Sequence, residues 1–369
     1  MIKFLDLKKI NAPYQTAFQE KLNQVLDKGW YILGDEVHSF EHSFASYCGT
    51  QYCIGVGNGF DALVLLFKGY LELGKLQKGD AVLVPANTYI ASILAILQAG
   101  LVPVLVEPNE FTYTIDVTAI AKSITPSTKA ILVVHLYGQV ADIDAVFALA
   151  NAHDLLVLED AAQSHGAHFR KKTSSSTVCN QAYSFYPGKN LGALGDGGAI
   201  TTNDADLSQV LQSLRNYGSQ EKYKNNFIGV NSRLDELQAA FLNVKLPYLD
   251  HANAQRIAVA QRYVNEIKNK KIILPYISKY TDKEICHVFH LFVIRTPNRD
   301  DLQKYLTKNG IETVVHYPIP PHKQKAFSYL NNLSFPITEK IHNEVLSLPM
   351  SPIMTPDEVS YVITILNQY

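Results

Sequence analysis

The chain has 369 residues, 47% of them hydrophobic, with 33 basic and 34 acidic side chains and a net charge of −1. That length suffices for one large and one smaller domain. The longest basic runs, Arg170-Lys171-Lys172 and Lys268-Asn269-Lys270-Lys271, are too short for a nucleic-acid surface, and no apolar run reaches the roughly 18 residues of a membrane span. Cys48, Cys53, Cys179 and Cys286 lack zinc-ligand spacing and no His-Glu-x-x-His pattern occurs, so no metal site is expected. Few cysteines, and no apolar signal core after Met1, read as a cytoplasmic protein.

Apolar spacing predicts a helix over residues 10–28 ended by Gly29, and another from Val37 to Tyr47. Tyr52–Val56 reads as a strand, Gly57-Asn58-Gly59-Phe60-Asp61 as a turn, and Ala62–Leu73 as a helix. Such a turn offers free backbone N–H groups at a helix N-terminus, where an anion binds. Phe60 stands where a dinucleotide fingerprint needs its last glycine. The pattern therefore suits a single phosphate and speaks against a nicotinamide dehydrogenase.

From Asp80 onward, apolar strands at Ala81–Pro85, Pro103–Val106, Ala130–Val134 and Leu155–Leu158 alternate with helices at Thr88–Ala99, Asp116–Ser123 and Ile143–Ala152. This alternation predicts an α/β fold with a parallel sheet covered on both faces. Ligand residues of such sheets lie just past the carboxyl ends of the strands. Asp160 and Gln163 occupy that place. A carboxylate there either holds a heterocyclic nitrogen protonated, as a pyridine cofactor needs, or caps the following segment.

Residues 171–180 are polar and loop-like. A short strand, Ala182–Phe185, then leads into the loop of Lys189, and Ala199–Thr202 is its return. The neighbours of Lys189 are aromatic, small or apolar, so it is either a solvated loop lysine or a desolvated one. Desolvation favours the neutral amine, the form that attacks an aldehyde. Asp204–Arg215 reads as a helix, 216–229 as irregular, and Ser232–Lys268 as a helical pattern interrupted near Pro247. Beyond it, strands at Val288–Ile294 and Ile311–His316, a helix at Arg299–Asn309 and a capping box at Thr355-Pro356-Asp357-Glu358 predict a smaller α+β unit. The expected domains are 1–245 and 246–369.

A turn for a phosphate, an acid for a pyridinium and a lysine for an aldehyde are the three requirements of pyridoxal 5′-phosphate. The motifs around them are Gly57-Asn58-Gly59-Phe60-Asp61-Ala62-Leu63, Pro85-Ala86-Asn87-Thr88-Tyr89, Glu159–Gly166, Ser184-Phe185 with Lys189-Asn190, Asn231-Ser232-Arg233 with Glu236–Ala240, and His316-Tyr317-Pro318. Through these the chain resembles, nearly end to end, the sugar aminotransferases of the DegT/DnrJ/EryC1/StrS family. These are fold-type I, aspartate-aminotransferase-like enzymes acting on nucleotide-linked keto sugars.

The resemblance implies that Lys189 forms the Schiff base and carries the proton, with Asp160 on the pyridinium nitrogen and Gln163 on the phenolic oxygen. It places Tyr89 on the ring and Gly59, Phe60 and Ser184 on the phosphate. Asn231 would reach the phosphate from the other subunit of a homodimer, although its position also permits a helix N-cap. His316 and Tyr317 would lie near the sugar, with Arg233, Lys222 and Lys224 as candidates for the diphosphate. Some relatives carry histidine in place of the lysine and dehydrate their substrate; Lys189 argues against that chemistry.

Phe60 stands where the family often has threonine, and Glu107-Pro108-Asn109 where it often has an aspartate. Both features resemble the subgroup that aminates C-3 of a dTDP-linked 3-keto-6-deoxyhexose. L-Glutamate would be the donor, the cofactor would cycle through pyridoxamine 5′-phosphate, and the amino sugar would enter a glycan such as a lipopolysaccharide O-antigen. The alternatives are amination at C-4 of a 4-keto sugar and a catalytically silent regulatory protein.

Overall fold

The computed structural model describes residues 1–167, 180–221, 223–276 and 286–369. Nearly all of the polar stretch 171–180, and Lys222, lie outside them. The first helical stretch divides into α1 (Leu7–Asn11) and α2 (Gln15–Lys28), joined by a 3₁₀ turn that Pro13 starts. A proline there has no N–H to continue the α ladder. Gly29, left-handed at φ 61°, closes α2. Next come α3 (Asp35–Cys48), β1 (Tyr52–Val56) and α4 (Gly59–Glu72). Helix α4 starts three residues before the predicted Ala62 because the Asn58 side chain accepts the Asp61 N–H at 2.8 Å and caps it.

The alternating part follows as β2 (Ala81–Pro85), α5 (Ile90–Gln98), β3 (Val102–Val106), α6 (Val117–Ser123), β4 (Thr128–Val134), α7 (Ile143–Ala152) and β5 (Leu156–Asp160). Then come β6 (Gln181–Ser184), β7 (Gly198–Thr202) and α8 (Ala205–Leu214). The seven strands form one sheet in the order β1-β7-β6-β5-β4-β2-β3. Only β7 runs antiparallel to its neighbours. Alternate residues of each strand enter opposite cores. Val82, Val84, Leu132 and Leu158 pack with α4, α5 and α8, while Leu83, Ile131, Val133 and Val157 pack with α6 and α7. This two-sided burial is why the strands read as unbroken apolar runs.

The stretch expected to be irregular contains a small hairpin, β8 (Ser219–Glu221) with β9 (Lys224–Asn225). The long helical pattern is α9 (Glu236–Lys245) and α10 (Leu249–Glu266), separated by a 3₁₀ turn at Pro247. Helix α9 begins after Asp235, so Asn231 is not its cap; Asn231 pairs with Asn216 in an isolated bridge. The C-terminal elements are β10 (Phe292–Arg295), α11 (Arg299–Lys308), α12 (Pro336–Glu344), β11 (Val345–Leu348) and α13 (Pro356–Gln368). Predicted strand 311–316 is reduced to two isolated bridges, Ile311 with Ile2 and Val314 with Ser347.

A separate apolar core joins α10, β10, α11, β11 and α13 through Tyr263, Phe292, Leu306, Leu346 and Leu366. A further cluster ties this unit to the large sheet, packing Val134, Leu136 and Tyr137 against Leu291, Val293 and Val345. Among the described residues no helix is long and apolar enough to cross a membrane.

Candidate active site

The carboxyl ends of the parallel strands open on a cavity of about 600 Å³. Nine of the residues singled out from the sequence line it: Gly59, Phe60, Tyr89, Asp160, Gln163, Ser184, Lys189, His316 and Tyr317. They arrive from separate segments. Gly59 and Phe60 follow β1, Tyr89 follows β2, Asp160 ends β5, and Ser184 ends β6.

Asp160 is buried and oriented by two donors. Ser92 Oγ donates to Oδ2 at 2.8 Å and the Ala162 N–H to Oδ1 at 3.1 Å. Thr88 Oγ1 lies 2.9 Å from Ser92 Oγ and extends this support into the start of α5. Two donors leave a carboxylate further lone pairs for a ligand. Gln163 takes the Tyr137 N–H on Oε1 at 2.5 Å and donates from Nε2 to Tyr317 Oη at 3.1 Å. Tyr317 packs on Tyr89 with ring centroids 5.2 Å apart, and Tyr89 is 52% exposed.

At the opposite end the α4 N-terminus meets β6. A Cβ on Gly59 would stand 2.5 Å from Ser184 Cβ and 2.9 Å from its Cα, so only glycine permits this approach. Gly198 is equally constrained, since its Cβ would meet the Asn58 carbonyl at 2.4 Å. The turn is braced from below: Ser232 Oγ accepts the Gly57 N–H at 3.0 Å and donates to Asp61 Oδ2 at 2.7 Å. The first amides of a helix have no carbonyl one turn back. Those of Gly59 and Phe60, beside the Ser184 side chain, form an anion cradle.

Lys189 sits in the turn after β6, its N–H bonded to the Tyr186 carbonyl at 2.8 Å. Among the described residues no hydrogen bond or ion pair engages its amine. Burial pushes its pKa down from 10.5 to about 8, against the opposing pull of the Asp160 carboxylate. Three histidines feel its charge. Burial first and Lys189 second hold His165 down at about 3 and His316 at about 4, and His290 well below its ordinary value. These imidazoles are neutral at physiological pH. An unengaged amine, an oriented carboxylate and an anion cradle in one cavity fit pyridoxal 5′-phosphate.

Three predicted residues are not brought into this cavity by their own chain. Asn231 is exposed at its bridge with Asn216. Arg233 Nη1 donates to Asn216 Oδ1 at 2.9 Å, and its guanidinium lies 5.6 Å from the Tyr217 ring centre. Lys224 is exposed and paired with Glu221. Glu107 also turns elsewhere: it accepts the Ile337 and Thr338 N–H groups at 2.8 and 3.0 Å and caps α12, which has no side-chain cap of its own. Sequence reasoning missed Asn58, Tyr186, Asp196 and His290, which also line the cavity, and Ser92 beneath Asp160. Asn58 had a local signal, as a cap three residues before Asp61. The others depend on strand register.

Residues 14–367 match the DegT/DnrJ/EryC1/StrS aminotransferase family. A relative from Aneurinibacillus thermoaerophilus, a dTDP-3-amino-3,6-dideoxy-alpha-D-galactopyranose transaminase, is 56% identical over 369 residues, covering 100% of this chain and 99% of its own. The structure of S. venezuelae DesV in complex with a ketimine intermediate superposes with a TM-score of 0.94 at 44% identity, covering 100% of this chain and 98% of the other. That of NtdA from Bacillus subtilis with bound PMP gives 0.91 at 33% identity, with coverages of 100% and 84%. The chain belongs to the DegT/DnrJ/EryC1/StrS aminotransferase family.

Proposed function

We propose that this protein is a pyridoxal-phosphate-dependent aminotransferase. It moves the amino group of L-glutamate to C-3 of a dTDP-linked 3-keto-6-deoxyhexose and yields a 3-amino-3,6-dideoxy sugar. The observation that carries this reading is the convergence of Lys189, Asp160 and the Gly59 turn on one cavity. The C-3 choice is supported by the relative from A. thermoaerophilus, which is named for a 3-amino-3,6-dideoxy product.

When bound, pyridoxal 5′-phosphate supplies an aldehyde that condenses with amines and a protonated ring that stores an electron pair. The amides of Gly59 and Phe60 and the Ser184 hydroxyl would hold its phosphate, and Asp160 would keep the proton on its ring nitrogen. Gln163 would meet its phenolic oxygen, and Tyr89, braced by Tyr317, would cover its face. With a pKa of about 8, the Lys189 amine is neutral often enough near neutral pH to take the proton from the substrate carbon, and it is acidic enough to return it. His316 and Tyr317 form the wall that the sugar meets.

The protein acts as a homodimer with shared sites. Asn231 and Arg233, displaced from their own cavity, serve the cavity of the neighbouring subunit. The small domain begins at residue 246, beside the turn at Pro247. The few cysteines support a cytoplasmic location, and the resemblance supports delivery of the product to a glycan such as an O-antigen.

The test uses purified protein. A yellow colour that L-glutamate bleaches is expected, followed by amination of the 3-keto sugar, with the new amine located by NMR. Efficient amination of the 4-keto isomer alone overturns the C-3 assignment. A protein that neither binds the cofactor nor bleaches with any donor is the regulatory alternative.

A further inference from the structure

A second cavity, of about 420 Å³, lies behind the loop that presents Lys189. Leu5 and the Gly188–Lys189 loop line both cavities. Besides Lys189, two cations stand in its wall. Lys245, on α9, is 7% exposed and Arg256, on α10, is 3% exposed. Neither has a carboxylate partner among the described residues, and no aspartate or glutamate lines the cavity. Lys245 Nζ donates only to neutral oxygens, the Gly192 carbonyl at 2.5 Å and Asn11 Oδ1 at 3.1 Å. Arg256 Nη1 reaches the Phe289 and Met350 carbonyls at 3.4 and 3.1 Å, while its buried Nε has no partner.

Buried cations are ordinarily paired, because removing a charge from water is costly. Here two of them sit close enough that Arg256 adds to the burial that pushes the Lys245 amine down to about 8. The rest of the wall is largely apolar, with Leu7, Ile10, Leu191, Val244 and Ile353. The phenol rings of Tyr14 and Tyr248, 5.6 Å apart, line the same cavity. A space with a cationic base and an apolar wall matches a molecule with one anionic head and an apolar body.

We propose that this cavity is a binding site, separate from the active site, for a small organic carboxylate whose head lies between Lys245 and Arg256. Charge-assisted hydrogen bonds fix the head, and the apolar body fills the space lined by α1, α2 and α9.

The experiment is calorimetric titration of the holoenzyme with benzoate, with methyl benzoate, inorganic phosphate and chloride as parallel arms. Benzoate is expected to bind saturably and the uncharged ester not to. Lys245→Met should weaken benzoate binding by about tenfold or more, the scale of one lost charge-assisted contact. Lys245→Arg should keep it. Arg256→Lys tests the second cation wherever that variant folds. Benzoate binding unchanged in Lys245→Met, which would place it in the active-site cavity, overturns the proposal. So does equal binding of the methyl ester, saturable binding of phosphate or chloride alone, or no saturable binding at all. None of these readouts uses turnover, so they stand or fall independently of the transaminase reading.

Discussion

Replacing Lys189 with methionine is expected to stabilise the cofactor-free protein near neutral pH while abolishing turnover. The amine titrates at about 8 in the fold against its ordinary 10.5, because burial disfavours its charge. The unfolded chain therefore holds the proton more tightly. Below pH 8 the amine is charged in both states and the full burial penalty applies. Above about 10.5 it is neutral in both and the penalty is gone. A gap of about 2.5 between the two values corresponds to about 3.4 kcal/mol at 1.36 kcal/mol per tenfold. Lys189 is half-buried, and solvent screening reduces this to roughly 1–3 kcal/mol. Unfolding entropy near 2.1 cal/mol/K per residue converts that to about 1–4 °C for a chain of this length.

The assay is thermal unfolding of cofactor-stripped wild-type and Lys189→Met proteins from about pH 7.5 to about pH 10.5. The variant should be the more stable at the low end, and the difference should shrink as pH rises through the window. Other buried groups, such as Lys245, titrate in both proteins and cancel in the comparison. A difference constant across the window, or a wild type more stable at pH 7.5, refutes the desolvated-amine argument.

Gly59→Ala forces Ser184 to move, since the new Cβ would meet that residue at 2.5 Å. Overpacking of about 1–3 kcal/mol predicts a loss of roughly ten- to a hundredfold in cofactor affinity by equilibrium dialysis, with normal secondary structure by circular dichroism. Asp160→Asn keeps the acceptor for Ser92 but removes the charge, and should slow bleaching by L-glutamate by about two to three orders of magnitude. Near-wild-type bleaching would make the acid merely structural. Mixing Lys189→Ala chains, inactive for want of the amine, with Asn231→Ala chains should restore activity, because one site of each mixed dimer carries neither change. Mixed dimers that stay inactive, or full activity of Asn231→Ala alone, would show that sites are not shared.

The large sheet was legible because its central parallel strands β2, β4 and β5 are buried on both faces, which leaves unbroken apolar runs such as Ala130–Val134 between helices of the other period. Asp160 and Lys189 stood out only together: alone, the acid also suits a cap and the lysine a solvated loop, and it was their agreement with the Gly57–Asp61 turn and the surrounding motifs that pointed to one cofactor. The C-terminal unit was harder to read. Residues 311–316 have the alternation of a strand, yet only Ile311 and Val314 find bridge partners. Helix α12 runs directly into β11 with no turn residues between them to mark the change. Asn231 looked like a cap, but the helix starts only at Glu236, five residues later, because the Asn231 segment is held by Asn216 and its neighbour Ser232 is committed to the α4 turn. The support of Asp160 by Ser92, 68 residues away, becomes visible only once the order of β2, β4 and β5 is known.

The cavity draws on the two parts of the chain unequally, and this bears on what each part can change. The groups assigned to the cofactor, Gly59, Asp160 and Ser184, sit on or beside strand ends of the seven-stranded sheet. Rigid elements of this kind hold a site geometry better than loops do. His290, His316, Tyr317 and Met350 reach the same cavity from the C-terminal unit, on segments outside regular strands. The two sets are joined by named contacts: Gln163 bonds Tyr317, Tyr89 packs on Tyr317, Asn190 pairs with His290, and the Tyr137 hydroxyl donates to the His316 carbonyl at 2.5 Å. A site so divided lets the sugar-facing wall vary while the cofactor groups stay fixed. On the proposed assignment of His316 and Tyr317 to the sugar, we assign selection between C-3 and C-4 to that segment and its contacts, because the Glu107 carboxylate is engaged in capping α12.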